Sequence, residues 1–394
     1  MHAPFDLRRR DLLLTALALA GGGCGGVDSG GTGTGTSPTY ASGPIDGFGS
    51  VIVGGVHFDD SSAHIEDDAG HLLSRDALKL GMRTEIVASA VSVSAGISSA
   101  VAESIRVRSE MLGPIESIDT VGGLLRVLGQ RVRIVASTVF DSALSGGLAA
   151  LNVGDTVEVH ATLDLAGARY VASRIERRTG VAAYTLRGVV GALSLAAQTI
   201  TLGDALIDWS RAAPADPATA LAPGRLVRLT LDLAPMAGVW RASAVTSGAM
   251  MLADREFAEV EGRITAFTSP VAFVLNGIPV DAAAVSPPAG LALGVRVEVR
   301  GSLRNGVLVA SRIAIENDDD NNAGAFEIEG TIDTVEALPA QRFTVRSVSV
   351  NWSAATRFEG GTAADIKVGR RVAVTGPLSA DRTRIDATSI HVEI

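Results

Sequence analysis

From residue 43 onward the chain alternates apolar and polar residues in short runs dominated by Val and Ile. That period sends successive side chains to opposite faces of a strand, and branched side chains suit a pleated surface. Outside the N-terminus no window longer than about a dozen residues keeps a helical period. The pattern predicts an all-β protein.

The alternation is punctuated by a phrase written five times: a branched residue, two spacers, glycine, two spacers, then alternating apolar positions. The copies are LKLGMRTEI (from Leu78), LNVGDTVEV (from Leu151), LAPGRLVRL (from Leu221), LALGVRVEV (from Leu291) and IKVGRRVAV (from Ile366). Each unit opens on a glycine before an apolar position, at Gly43, Gly113, Gly188, Gly262 and Gly330, and successive openings lie 70, 75, 74 and 68 residues apart. Each closes on alanine, two spacers and a branched residue, at Ala102, Ala172, Ala242, Ala310 and Ala387. A fixed period marks an array of like units.

Within the units VIVGGVHF (from Val51), FVLNGIPV (from Phe273) and FTVRSVSV (from Phe343) read as hairpins. Gly54-Gly55 and Asn276-Gly277 accept the positive φ that a tight turn needs. Alternation runs through the opening glycine, which therefore lies inside a strand and marks a bend. A unit of this length with five or six short strands makes one small closed barrel, and the bent first strand points to an OB-like one. Small open sheets stacked as a solenoid are the alternative, although the period exceeds the usual ~20–45 residues of solenoids.

The first 42 residues stand apart. Arg8-Arg9-Arg10 precede an apolar stretch from Leu12 to Ala20, too short for a bilayer span, and read as a signal peptide. Arg9 and Arg10, followed by Asp-Leu-Leu, match a twin-arginine export signal, and a general secretory signal fits equally. Cys24, the only cysteine, follows three glycines where cleavage is expected. It is read as the acylated N-terminus of a lipoprotein, against an incidental thiol; Gly21 stands where such signals usually carry leucine. The Gly/Ser/Thr tract that follows is a flexible tether. The expected division is a signal peptide at 1–23, lipidated cysteine and tether at 24–42, and units at 43–110, 111–179, 180–247, 248–316 and 317–394.

Charge narrows the partners. The chain carries −9, and removing residues 1–23, with three arginines and two aspartates, leaves −10. An acidic surface with 4% aromatic residues lacks the basic grooves and stacking platforms of nucleic-acid binders, so no nucleic acid is expected. The partners expected are the membrane, through the N-terminal lipid, and an envelope protein or polymer.

Candidate chemistry is sparse. His57, His64 and His71 recur at intervals of seven among Asp59, Asp60, Glu66, Asp67 and Asp68, a weak candidate metal site read instead as solvated loop histidines. Asp318, Asp319 and Asp320 lie in an acidic stretch suggestive of calcium, but Ala323 stands where an EF-hand needs its glycine. Trp209, Trp240 and Trp352 fall in different phases of their units and are expected to fill cores or edges. No Gly-x-Ser-x-Gly, His-Glu-x-x-His or phosphate-cradling loop occurs. Neither a cofactor nor an enzymatic activity is expected.

The opening SGPIDGFGSVIVGGVHFD, Ser42 to Asp59, resembles the start of the bacterial domain-of-unknown-function 5666 family, and the glycine and alanine phrases extend the likeness to residue 394. The resemblance implies tandem domains behind a lipoprotein signal and a glycine-rich tract, with no established activity. Unit three departs most: Pro223 interrupts its central phrase and Pro214, Pro217 and Pro235 crowd its loops, which puts its completeness as a barrel in question. The sequence thus predicts a lipid-anchored envelope protein acting as a binding or structural array. An envelope enzyme with a site between barrels and a calcium-stiffened adhesin are the alternatives.

Overall fold

A computed structural model of the chain describes residues 39–94, 96–212, 221–248, 253–316, 324–336 and 339–393. Among these, helical structure is limited to the 3-10 turns Arg75–Ala77, Gly147–Ala150 and Ala363–Asp365. Arg9, Arg10, Cys24 and Asp318 to Asp320 lie outside the described residues, as do Pro214 and Pro217.

Unit two shows the architecture. Its first strand, Met111–Asp119, pairs with Leu124–Val127, which pairs with Gln130–Arg133. That third strand runs parallel to the fifth, Arg169–Arg177, which pairs with the fourth, Thr156–Asp164. The fourth returns to the first and closes a five-stranded barrel in the order 1-2-3-5-4. This is OB-like topology, and all five units repeat it.

The two glycine phrases meet in space. In unit one the N–H of Gly81 donates to the carbonyl of Ile45 at 2.9 Å, and the N–H of Ile45 donates to Met82 at 2.8 Å. The same reciprocal pair joins Gly154 and Asp155 to Ile115, Gly224 and Arg225 to Val190, Gly294 and Val295 to Ile264, and Gly369 and Arg370 to Ile332. The central glycines hold φ between 76° and 92°, which is open to glycine at little steric cost. The phrase is a backbone clamp between a turn and the first strand.

The opening glycine is fixed by packing. A Cβ on Gly113 would run into Leu128, and one on Gly262 into Asn276. Both residues sit in the hairpin turn between the second and third strands, so the bend leaves no room for a side chain. The closing alanine marks a bulge: the strand register shifts beside Ala102, Ala172, Ala242 and Ala310, each almost fully buried.

Unit three is a complete barrel. Pro223 causes no interruption, because Arg225 N–H donates to Ala222 across a turn with Pro223 and Gly224 in the middle. Proline followed by a positive-φ glycine is what a type II turn favours.

The barrels are not beads on a string. Unit one is joined to two other units because its first strand is split between them. Thr39–Pro44 runs parallel to Arg255–Ser269 of unit four and antiparallel to its own Arg83–Ala88. Gly47–Phe48 pairs in parallel with Phe326–Glu336 of unit five. This strand begins at Thr39, four residues inside the stretch assigned to the tether, because Thr39 and Tyr40 are buried and Tyr40 completes the core of unit four. The GFG motif has its reason here: a Cβ on Gly47 would strike the backbone carbonyl of Glu327, and one on Gly49 would lie 2.8 Å from the Cβ of Glu329. Units one and five share one apolar core, and units two and three share another.

Candidate functional site: a cavity where four barrels meet

The histidines do not converge. His57 is in the strand Val56–Asp59, not in a loop, with backbone partners Ile52 and Ser99. His64 lies 3.5 Å from Glu66, and His71, exposed, lies 2.9 Å from Asp67. Among the described residues no group of three or more His, Cys, Asp or Glu is placed to hold a metal ion. Trp240 is buried edge-on to Tyr184 at 6.0 Å, Trp352 packs on Phe343 at 5.6 Å, and Trp209 rests against the core of units two and three.

The polar residues that do converge lie elsewhere. Units one to four enclose a cavity of ≈ 230 Å³ with a polar floor formed by Ser42, Arg83, Glu85, Arg108, Glu110 and Arg187. Its rim includes the exposed Arg225 and Ala266. Apart from Glu110, which lies in the connection before Met111–Asp119, the floor residues occupy polar positions of strand alternation and so point out of their own barrels. Docking of neighbouring barrels is what buries them.

Most of the charge is neutralised in place. Arg108 lies 2.8 Å from Glu85 and 3.5 Å from Asp68, and Asp68 also faces Arg228 at 3.7 Å. Arg187 lies 3.7 Å from Glu110. Arg108 and Arg187 both donate to the carbonyl of Gly248, where unit three ends. Burial pushes the Glu85 carboxyl up, opposed by Arg108 and Arg187. Burial also lowers the Arg108 guanidinium, reinforced by Arg187. Isolated charges in such a place would be costly, and pairing is what makes them tolerable.

Arg83 is the exception. It is 8% exposed, donates to Thr162 Oγ1 at 2.9 Å and to the carbonyl of Glu261 at 3.3 Å, and has no carboxylate partner among the described residues. Desolvation depresses it; the nearest opposing carboxylates, Glu110 and Glu261, are committed to Arg187 and Arg296. Sequence reading missed all six floor residues, because nothing along the chain distinguishes an outward polar residue facing water from one facing another barrel.

A second polar cluster lies between units one and four. Asp46 and Glu259 are both pushed up to about 8 by burial. Glu261 adds to the shift at Asp46 and Glu298 to that at Glu259, while Arg296 and Arg300 oppose them.

Comparison with known proteins agrees with this architecture. The family model described as "Domain of unknown function (DUF5666)" matches residues 113–176, 261–314 and 329–391, which are units two, four and five. The chain is thus a repeat protein carrying DUF5666 domains. No curated protein matches it. A solved structure titled "drosophila Unr CSD456" is similar at 13% identity over 54% of this chain and 98% of that one, but its TM-score of 0.15 carries no argument.

Proposed function

We propose that this protein is an exported, lipid-anchored component of the bacterial cell envelope that serves as a binding or structural array and not as an enzyme. The observation that carries the reading is Cys24, the sole cysteine, set between an apolar run with a basic start and a Gly/Ser/Thr tract. The tract leads into a compact group of barrels whose shared residues are turn clamps, bulge alanines and core positions. None of these shared residues is suited to proton transfer, metal ligation or nucleophilic attack. Among the described residues no helix is long and apolar enough to cross a membrane, so attachment in this reading depends on the lipid.

One observation favours the enzyme alternative: the cavity lies between barrels and is lined by ionisable groups. Its lining includes no histidine or cysteine, which weighs toward binding. Replacing Cys24 with alanine is expected to move the protein from the membrane to the soluble fraction and to abolish incorporation of labelled palmitate. Unchanged membrane association with no palmitate in the parent protein overturns the anchor.

A further inference from the structure

Comparing equivalent positions of the units isolates what is unusual about the cavity. The central phrase carries arginine two residues after its glycine in three units: Arg83, Arg296 and Arg371. In units four and five that arginine pairs with the glutamate just before the opening glycine, Arg296 with Glu261 and Arg371 with Glu329. In unit one the same position is Ser42. The register is conserved: Ser42 stands opposite Glu85, as Glu261 stands opposite Glu298 and Glu329 opposite Ala373. Unit one carries the cation without the internal counter-charge.

Both Ser42 and Arg83 line the cavity. We propose that this cavity is a binding site for a small organic anion, a carboxylate or phosphate group taking the place that glutamate occupies in units four and five. Four arginines, Arg83, Arg108, Arg187 and Arg225, line it against two glutamates, Glu85 and Glu110, so it is cationic within a chain of net charge −9. Two of the five N–H groups of Arg83 are used by Thr162 and Glu261, leaving donors for a bidentate acceptor. The ≈ 230 Å³ volume is below the ~300–1,000 Å³ of drug-sized sites and suits a compact ligand. Unpaired and buried, the guanidinium is costly in the empty protein, and a bound anion relieves that cost.

The test is isothermal titration calorimetry on the full chain, with inorganic phosphate and succinate as separate probes. One site per chain is expected for at least one probe, and the probe that binds identifies the anionic group. Ser42→Glu supplies the missing carboxylate and is expected to weaken binding at least tenfold; Arg83→Met is expected to do the same. Arg357→Met, at an arginine whose side chain is 76% exposed, is expected to leave binding unchanged. Glu110→Gln removes a negative charge from the floor and is expected to tighten binding several-fold, a gain that misfolding cannot mimic. Absence of binding by both probes overturns the proposal, as does equal binding by the parent, Ser42→Glu and Glu110→Gln proteins. Palmitate labelling is not involved, so this result and that for the anchor are independent.

Discussion

The seam between units one and five and the junction of units one to four are built from the same kind of strand edge, yet they are filled differently. At the seam, Phe48 and Ile328 come into register across parallel strands and the two barrel cores become one apolar cluster. Its polar content is concentrated on one carboxylate. Asp60 is fully buried and accepts two-point contacts from Arg75 (3.1 and 2.7 Å) and Arg346 (3.3 and 2.7 Å). Arg346 also lies over the Phe48 ring at 4.7 Å. At the junction, apolar side chains such as Leu163, Leu226 and Ile278 line the cavity beside charges spread over several strands, with Arg83 left over. A seam whose ions are all paired serves adhesion; a junction with a cation to spare has capacity for a ligand.

The comparison can be broken most forcefully at Asp60. Asp60→Ala leaves Arg75 and Arg346 without their shared carboxylate and is expected to cost about 3–5 kcal/mol in denaturant unfolding. A loss below about 1 kcal/mol would mean that the apolar contacts alone hold the seam. Arg346→Met removes one partner and the ring contact, and a smaller loss is expected.

Next in size is backbone approach. Gly47→Ala places a methyl against the carbonyl of Glu327, which as backbone cannot swing away, and is expected to cost about 1–3 kcal/mol. Gly55→Ala has open space around it and only its φ of 79° to overcome, so about 1 kcal/mol is expected. Equal losses at the two positions would show that close approach of unit five is not what the GFG motif provides.

The polar contact between units one and four is expected to respond to pH. Asp46 and Glu259 have folded values raised to about 8 from ordinary values of 3.8 and 4.5. Between those limits the folded chain holds protons that the unfolded chain has released. Their favourable contribution is therefore complete below the unfolded values, declines as pH rises, and is gone above about 8. Unfolding midpoints measured across this range should fall, and Asp46→Asn should flatten the profile. A midpoint that stays level between about pH 5 and 8 would mean that Arg296 and Arg300 hold both carboxylates ionised.

The smallest effect is expected at Pro223. Pro223→Ala keeps the turn but frees the unfolded chain, costing about 0.4–1 kcal/mol. A stabilising substitution there would return unit three to the status of an interrupted copy.

Much of each barrel was legible in the sequence because its determinants are local or repeat at a fixed spacing. Gly81 and its four equivalents announce a left-handed turn, and the alternating positions after each announce a strand with one buried face. The hairpin at Asn276-Gly277 is read directly, whereas the one at Arg346-Ser347, with φ of 48° and 64°, has no such residues and shows only as a break between alternating runs. Pro223 misled because proline was weighed as a breaker without the glycine beside it. His57 and His64 lie in strands and not in the loops expected of them, because they belong to different segments whose pairing only the fold sets.

What the sequence determined by itself is the unit: period, barrel topology, clamp and core, all consequences of side-chain alternation and of glycine at positions that no other residue fits. The tertiary structure decided how units meet and hence where chemistry is possible. Ser42 and Arg83 are unremarkable along the chain, one a small polar residue and the other a charge on an outward face. They become a site only because Thr162 of unit two and Glu261 of unit four close over them. Burial by distant segments converts an ordinary surface arginine into a cation in need of a partner, and a single strand's sequence carries no record of what will cover it.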